Sequence, residues 1–405
     1  MIRHARVLAT AAVFGVLAAT CAGSSTEDTA PDVAGAEEAS DPTDSLAEGE
    51  LPEGHSALVD MNDPTFPDPL VDPADVISGG PSPDGIPPID EPTFVSVEAA
   101  DEWLEDQEPV VVLELEGDAR AYPIQILMWH EIVNDTVAGT PVTVTYCPLC
   151  NTAVSYKRVV NGAETTFGTS GRLFASALVM YDRATQSLWT HFDGRAVIGV
   201  LTGAQLETIP SPLLAWSDFA AQYPDGEVLD RETGFSRPYG TNPYEGYDDP
   251  DSRPFLFRGD ADTRAKMKQR VVGVAHEDAA KAWTLQAISS PDGVAATSGE
   301  VGGQAIVILW KGGQSSALET DSVDSGRDVG SVGVFVPEAD GRSLTFRAED
   351  GRFVDEETGS TWAVTGTATA GPLEGETLER LHHFDTFWFA WSTYRPGTEL
   401  VEEGA

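Results

Sequence analysis

The chain has 405 residues, room for two ordinary domains each with its own core, and carries 66 Asp and Glu against 24 Lys and Arg. The formal net charge of −42 disfavours partners made of nucleic acid or anionic lipid. With only three cysteines, a four-cysteine zinc or iron–sulfur site within one chain is excluded.

In chain order, residues 1–21 read as an export signal. Arg3, His4 and Arg6 precede the apolar run Val7 to Ala19, which is too short and too rich in small residues for a good transmembrane helix. Cys21 follows Leu17-Ala18-Ala19-Thr20, an imperfect bacterial lipobox, and is the candidate for lipidation. The protein is therefore expected at the cell envelope or extracellular face, touching membrane only through that anchor. Residues 22–75 read as an acidic, Pro- and Ser-rich solvated tether. From Ala22 to Glu91 there are 18 Asp and Glu and no Lys or Arg, too little apolar surface to order a chain. With that stretch and the two signal arginines set aside, the remainder still carries −26, which fits adaptation to high salt.

The next elements alternate as strands do. Val110 to Leu115 and Ala119 to Tyr122 predict a hairpin around Glu116-Gly117-Asp118, and Ile124 to Asn134 a short helix with Ile124, Leu127, Met128 and Ile132 on its apolar face. Strands are expected at 141–146 and 153–158, then near 178–181, 187–192 and 196–200, with a helix around 213–222.

An internal duplication is visible by residue counting. Asp182, Thr185, Ser187 and Trp189 recur as Asp355, Thr358, Ser360 and Trp362. In a register shifted by one residue, Gly199, Leu201, Gly203, Trp216 and Pro224 match Gly371, Leu373, Gly375, Trp388 and Pro396. Upstream, Arg120-Ala121-Tyr122 resembles Lys281-Ala282-Trp283. The expected fold is α+β and β-rich: two homologous tandem halves, 76–240 and 266–401, joined by a connector at 241–265 and packed as a bilobed domain about a pseudo-twofold axis. Recurrence in both halves assigns Asp182 and Asp355 to turns or scaffold, and the repeated tryptophans to the core.

Between two predicted strands lies Tyr146-Cys147-Pro148-Leu149-Cys150-Asn151. Its two thiols sit on one tight turn, close enough for a disulfide or a shared metal ion. The duplication sets Lys311 opposite Cys147 and Gln314 opposite Cys150, so a site built on the thiols belongs to the first half alone.

Several motifs together carry a resemblance: Gly79-Gly80-Pro81, Trp129-His130-Glu131-Ile132-Val133-Asn134-Asp135, Thr145-Tyr146-Cys147-Pro148-Leu149-Cys150, Ser170-Gly171-Arg172-Leu173 and Leu178 to Arg183. Over about 76–401 the chain resembles the uncharacterised prokaryotic domain-of-unknown-function family thirty-one seventy-nine, often labelled "(seleno)protein". That label implies relatives with selenocysteine and a redox role, which would fall on the Cys-Pro-Leu-Cys motif. It implies no substrate.

Three readings of the thiols stay open. As a thiol redox pair, one cysteine attacks and its neighbour resolves the mixed disulfide; no helix N-terminus is at hand, so His130 or Arg172 would lower the thiol pKa and Glu131 would orient His130. The partner would be an unknown redox protein or protein substrate. As a metal site, the strand-to-knuckle turn gives two ligands, His130 a third, with His191 and Met180 behind it, suiting copper or zinc. As a structural disulfide in an envelope scaffold, closing four residues would add only about 1.9 kcal/mol. His130-Glu131 does not begin a zincin motif, because Asn134 takes the place of the second histidine. Arg172 could bind an anion or pair with a carboxylate, and His382-His383 is a weaker metal candidate in the half without thiols.

Overall fold

The computed structural model describes residues 53–404. The expected export signal, Cys21 and the first part of the tether lie outside the described residues. Strands take 39% of the described residues and helices 9%, so the fold is β-rich and its helices are short connectors. Among the described residues no helix is long and apolar enough to cross a membrane.

Pro109–Leu115, a run of valines buried on both faces, pairs antiparallel with Asp118–Pro123. The turn needs positive φ at two successive residues, and Glu116 (51°) and Gly117 (86°) supply it. Leu213–Ala215 pairs antiparallel on the outer side of Pro109–Leu115, and Glu227–Leu229 runs parallel to Asp118–Pro123. The same pattern appears later in the chain. Arg270–His276 pairs antiparallel with Ala279–Thr284, Phe384–Phe387 flanks the first, and Glu399–Val401 runs parallel to the second. Each of these sheets hands over to a three-stranded unit. One is Ile132–Val137, Thr140–Cys147 and Thr152–Lys157; the other is Val294–Val301, Gln304–Lys311 and Ser331–Phe335. Two four-stranded meanders follow, Phe167–Phe174 to Arg195–Ile198 and Phe346–Glu349 to Ala368–Ala370.

The repeated Asp-X-X-Thr-X-Ser-X-Trp segments close the same hydrogen bonds. Trp189 Nε1 donates to Asp182 at 3.0 Å and Trp362 Nε1 to Asp355 at 2.9 Å. Thr185 and Thr358 each donate a backbone N–H at 2.6 Å. Ser187 and Ser360 accept from Leu201 N–H and Leu373 N–H, at 3.1 and 3.0 Å.

Two of the cores keep to one stretch each, Val272, Trp283, Ile308 and Val334 in the later and Val76, Val179, Leu188 and Ile198 in the earlier. Two others draw on both. The second meander's Phe346, Phe353 and Trp362 pack with Val110 and Leu214 of the first sheet and Trp216 and Phe219 of the helix Trp216–Gln222. Met180, Trp189 and Phe192 of the first meander pack with Val271, Phe384 and Trp391 of the later sheet and helix. One expectation is corrected, that of the tether. Over its described part, 53–75, the chain is docked: Ala57 is fully buried, Leu58, Met61, Phe66 and Val71 lie on Val179, Leu188 and Ile198, and Leu70 N–H donates to Val197 O at 3.0 Å. Five apolar residues spaced among the acids suffice to cover one face of a sheet, a pattern that composition averaged over the segment conceals.

Helix boundaries also differ. The first helix is Ile124–His130, not 124–134; Glu131 takes a left-handed φ of 59° and the β-branched Ile132-Val133 resume as a strand. Residues 213–215 are strand, and the helix is Trp216–Gln222.

Candidate metal and thiol site

Alternating Val and Thr set Thr140–Cys147 in the middle of its sheet, paired with Ile132–Val137 on one side and Thr152–Lys157 on the other. The register pairs Cys147 with Thr152, so Pro148 to Asn151 must turn within four residues. Asn151 does so at φ 50°, with its N–H on Pro148 O at 3.3 Å and its Oδ1 accepting from Tyr146 Oη at 3.2 Å. The far side of the turn is held by the later part of the chain: Cys150 O accepts from Thr386 Oγ1 at 2.9 Å and from Phe387 N–H at 3.1 Å.

Both cysteines are free, buried and 3.3 Å apart. Burial alone would raise the Cys147 thiol pKa. The Cys150 thiol and the backbone N–H groups of Leu178, Cys150 and Leu149, all directed at its sulfur, more than offset this and hold it below the ordinary thiol value. Leu178 N–H reaches Cys147 Sγ at 3.4 Å. Cys150 is pushed well up, first by burial, then because its proton is shared with the Cys147 sulfur. Of the two, Cys147 is the sulfur that gives up its proton more readily and Cys150 the one that keeps it.

The histidine beside them is His191, at the end of the meander strand Leu188–Thr190, with its N–H on Leu178 O at 3.1 Å. The ligating atoms of Cys147, Cys150 and His191 all lie within 4.8 Å of one another, and among the described residues no other group of three His, Cys or acidic residues is so arranged. His191 is fully buried, neither ring nitrogen has a hydrogen-bond partner among the described residues, and burial lowers its pKa to about 3. The imidazole is neutral, with a lone pair free beside the two sulfurs.

His130, expected as the third ligand, is committed elsewhere. Its Nδ1 meets Pro87 O at 2.7 Å and its Nε2 the Tyr239 hydroxyl at 2.6 Å, so it ties two loops to the helix end. Glu131 does not orient it. The helix ends at His130, and the left-handed turn at Glu131 leaves this carboxyl buried with no hydrogen-bond partner; burial and then the nearby Cys147 hold its pKa well up. Neither His130 nor Arg172 is among the leading groups acting on the Cys147 sulfur. Arg172 follows a β-bulge between Thr169 and Arg172 and borders a cavity instead. Met180 is buried on the same face of its strand as Leu178. In the part of the chain without thiols, His382 is half-buried against Phe384 with its ring centroid 4.6 Å away, and it belongs to no such cluster among the described residues. At the turn matching Cys147, Lys311 donates to Asp218 of the helix Trp216–Gln222.

Residues 83–398 match the family described as a protein of unknown function, DUF3179. The chain belongs to this family. Neither the curated proteins nor the solved structures contain a match to it. In this DUF3179 protein a cavity of about 360 Å³ is lined by Leu149, which lies between the two cysteines in the chain, and by Leu178, whose N–H meets the Cys147 sulfur. Glu131 and Arg172 both line it, and Glu131 is still near enough to the sulfurs to interact with Cys147 and Cys150. His191 was legible only as one of two residues behind His130. Its signal is the meander register, which carries it to the thiols from 41 residues downstream of Cys150.

Proposed function

We propose that Cys147, Cys150 and His191 are the ligands of a metal centre in an exported redox or electron-transfer protein. The observation that carries this reading is His191: a fully buried imidazole, unpartnered at both nitrogens, beside two sulfurs. A buried polar ring left unsatisfied costs about 1–3 kcal/mol, and a coordinate bond would remove that penalty. Two sulfurs and one imidazole suit copper(I), with the Met180 thioether as a weak further ligand, or zinc with water or a carboxylate in the fourth place. The test is metal analysis of anaerobically purified protein with X-ray absorption at the metal edge. One equivalent of copper or zinc with sulfur and nitrogen scatterers, lost in His191→Ala and Cys147→Ser but kept in His130→Ala, supports the site. Protein that stays metal-free after exposure to both ions removes it.

A second reading rests on the sulfurs alone. Their 3.3 Å separation and opposite pKa directions are those of an attacking thiolate and a proton-holding neighbour. Closure of the Cys147–Cys150 disulfide would release two electrons and the Cys150 proton to an external acceptor. The selenocysteine-containing relatives that the family label implies fit this reading. We also infer that the two matching sets of sheets arose by duplication, that only the first set kept a reactive turn, and that export leaves the protein lipid-anchored through Cys21.

A further inference from the structure

The repeated Asp-X-X-Thr-X-Ser-X-Trp segments part ways three residues beyond the tryptophan, where the first carries Phe192 and the second Thr365. Each of these meets the last residue of a seven-residue helix that begins with tryptophan. Phe192 stacks on Tyr394 with ring centroids 4.5 Å apart, and on Phe384 at the same distance, so rings fill that place. Thr365 Oγ1 instead donates to Gln222 Oε1 at 3.0 Å. Two short polar side chains stand where the other segment has two rings, and a cavity of about 210 Å³ lies beside Thr365, between the first sheet and the second meander.

The backbone around this cavity is fixed. Leu378 N–H donates to Gly366 O at 2.9 Å, Thr367 bridges to Thr377, and Arg380 bridges to Phe335. Leu115, Ile209 and Leu378 supply apolar wall, and the two charged groups are Glu114 and Arg380, both half-buried. Arg380 Nη2 donates to Thr365 O at 3.2 Å and to the Tyr223 hydroxyl at 3.3 Å, while its Nε is buried with no partner. One Glu114 oxygen accepts the Gly117 N–H at 3.0 Å, and the other accepts nothing among the described residues. Neither side chain forms an ion pair there, with the other or with any further group.

A guanidinium and a carboxylate thus line one small cavity without meeting. A simple anion would enter beside Glu114 against a net charge of −42, and a simple cation would meet Arg380. A molecule that carries both charges answers both groups at once. The volume lies below the roughly 300 Å³ at which sites for drug-sized ligands begin, so few further atoms fit.

We propose that this cavity binds a small aliphatic α-amino acid, with its carboxylate on Arg380, its ammonium on Glu114 and its side chain against Leu115, Ile209 and Leu378. The site is separate from the thiols and does not depend on what they bind.

The test is equilibrium dialysis of the full chain against radiolabelled L-valine at neutral pH. Isovalerate and isobutylamine, which each carry one of the two charges of valine, serve as competitors. Expected are saturation at one equivalent and no displacement by an excess of either. Arg380→Gln and Glu114→Gln should each weaken binding about tenfold or more, since each removes a charge-assisted contact. Thr365→Phe, which sets a ring where the first segment has Phe192, should fill the cavity and abolish binding. No saturable uptake of L-valine by the wild-type chain overturns the proposal. Displacement by either competitor does so too, because it would show a site for a single charge. Unchanged affinity in Arg380→Gln and Glu114→Gln, with intact circular dichroism spectra, also overturns it. Should a variant fail to fold, uptake and competition on the wild-type chain still decide.

Discussion

Replacing His191 with leucine should change stability in opposite directions with and without metal. In the metal-free protein the imidazole is fully buried with no partner for either nitrogen. Each unsatisfied nitrogen costs about 1–3 kcal/mol, and a leucine of similar size removes both at a misfit cost below about 1.5 kcal/mol. The chelated His191→Leu protein should therefore be more stable than wild type by about 1–3 kcal/mol. Metal at a thousandfold excess over its Kd should stabilise wild type by about 4 kcal/mol and the variant by far less, since one of three ligands is gone. The order of stability then reverses. Urea unfolding followed by tryptophan fluorescence, in chelator and in saturating copper(I) or zinc, reads both signs in one series. If His191→Leu is destabilised equally in both media, His191 is a packing residue and the metal centre is wrong.

Acid stability gives a second check on the same residue. The His191 pKa falls from 6.5 to about 3 on folding, so the unfolded state binds more protons over that interval and stability is lost as pH falls from 6.5 toward 3, by up to about 4 kcal/mol. His191→Leu should move the acid-unfolding midpoint, followed by circular dichroism, to lower pH. Glu108 runs the other way. Burial raises its pKa from 4.5 to about 7, so its contribution is present below 4.5 and lost as pH rises through 7, and Glu108→Gln should gain up to about 3 kcal/mol in urea melts at pH 8 and nothing at pH 4. Gly171→Ala should cost about 3 kcal/mol or more in the same melts, because a Cβ at φ 71° would stand 2.0 Å from Pro81 O. Gly117→Ala, at φ 86° in open space, should cost about 1. Asp182→Ala should cost about 3 kcal/mol and more than Asp355→Ala, since Asp182 also accepts from the Ser187 N–H; thermal melts of both variants rank them.

What could be read from the sequence was what is local. The turn at Glu116-Gly117, the strands on either side of Cys147-Pro-Leu-Cys150, and the shared role of Asp182 and Asp355 followed from alternation and spacing alone. The helix from Ile124 ran too far because Glu131 is no helix breaker by type, and only its left-handed φ ends the element. His130 stands nearer the thiols along the chain than His191 does, and sequence reasoning therefore points to it. Nearness in sequence fails here because the strand pairing carries His191 to the sulfurs, while the ring of His130 is taken by Pro87 and Tyr239. Glu131 and Arg172 read in the sequence as groups acting on a thiol, yet both line a cavity, a distinction that needs side-chain direction as well as residue type. The reciprocal packing of meanders on the opposite sheets leaves no trace in either repeat, since both stretches carry the same apolar pattern whichever sheet receives it.

That exchange has a kinetic side. The apolar face of the first meander, with Met180 and Trp189, is covered by residues near 384–391, about two hundred positions later. As the chain emerges from its N-terminus, the thiol turn exists long before Thr386 and Phe387 arrive to close it. Folding must then wait on contacts of very long sequence separation, which slows the search and keeps sticky strand faces open meanwhile. During that interval both sulfurs are more open to oxidants and metal ions than in the finished fold, where they are buried. The late-arriving stretch, which has no thiols of its own, therefore sets the moment at which the chemistry of the first is sealed.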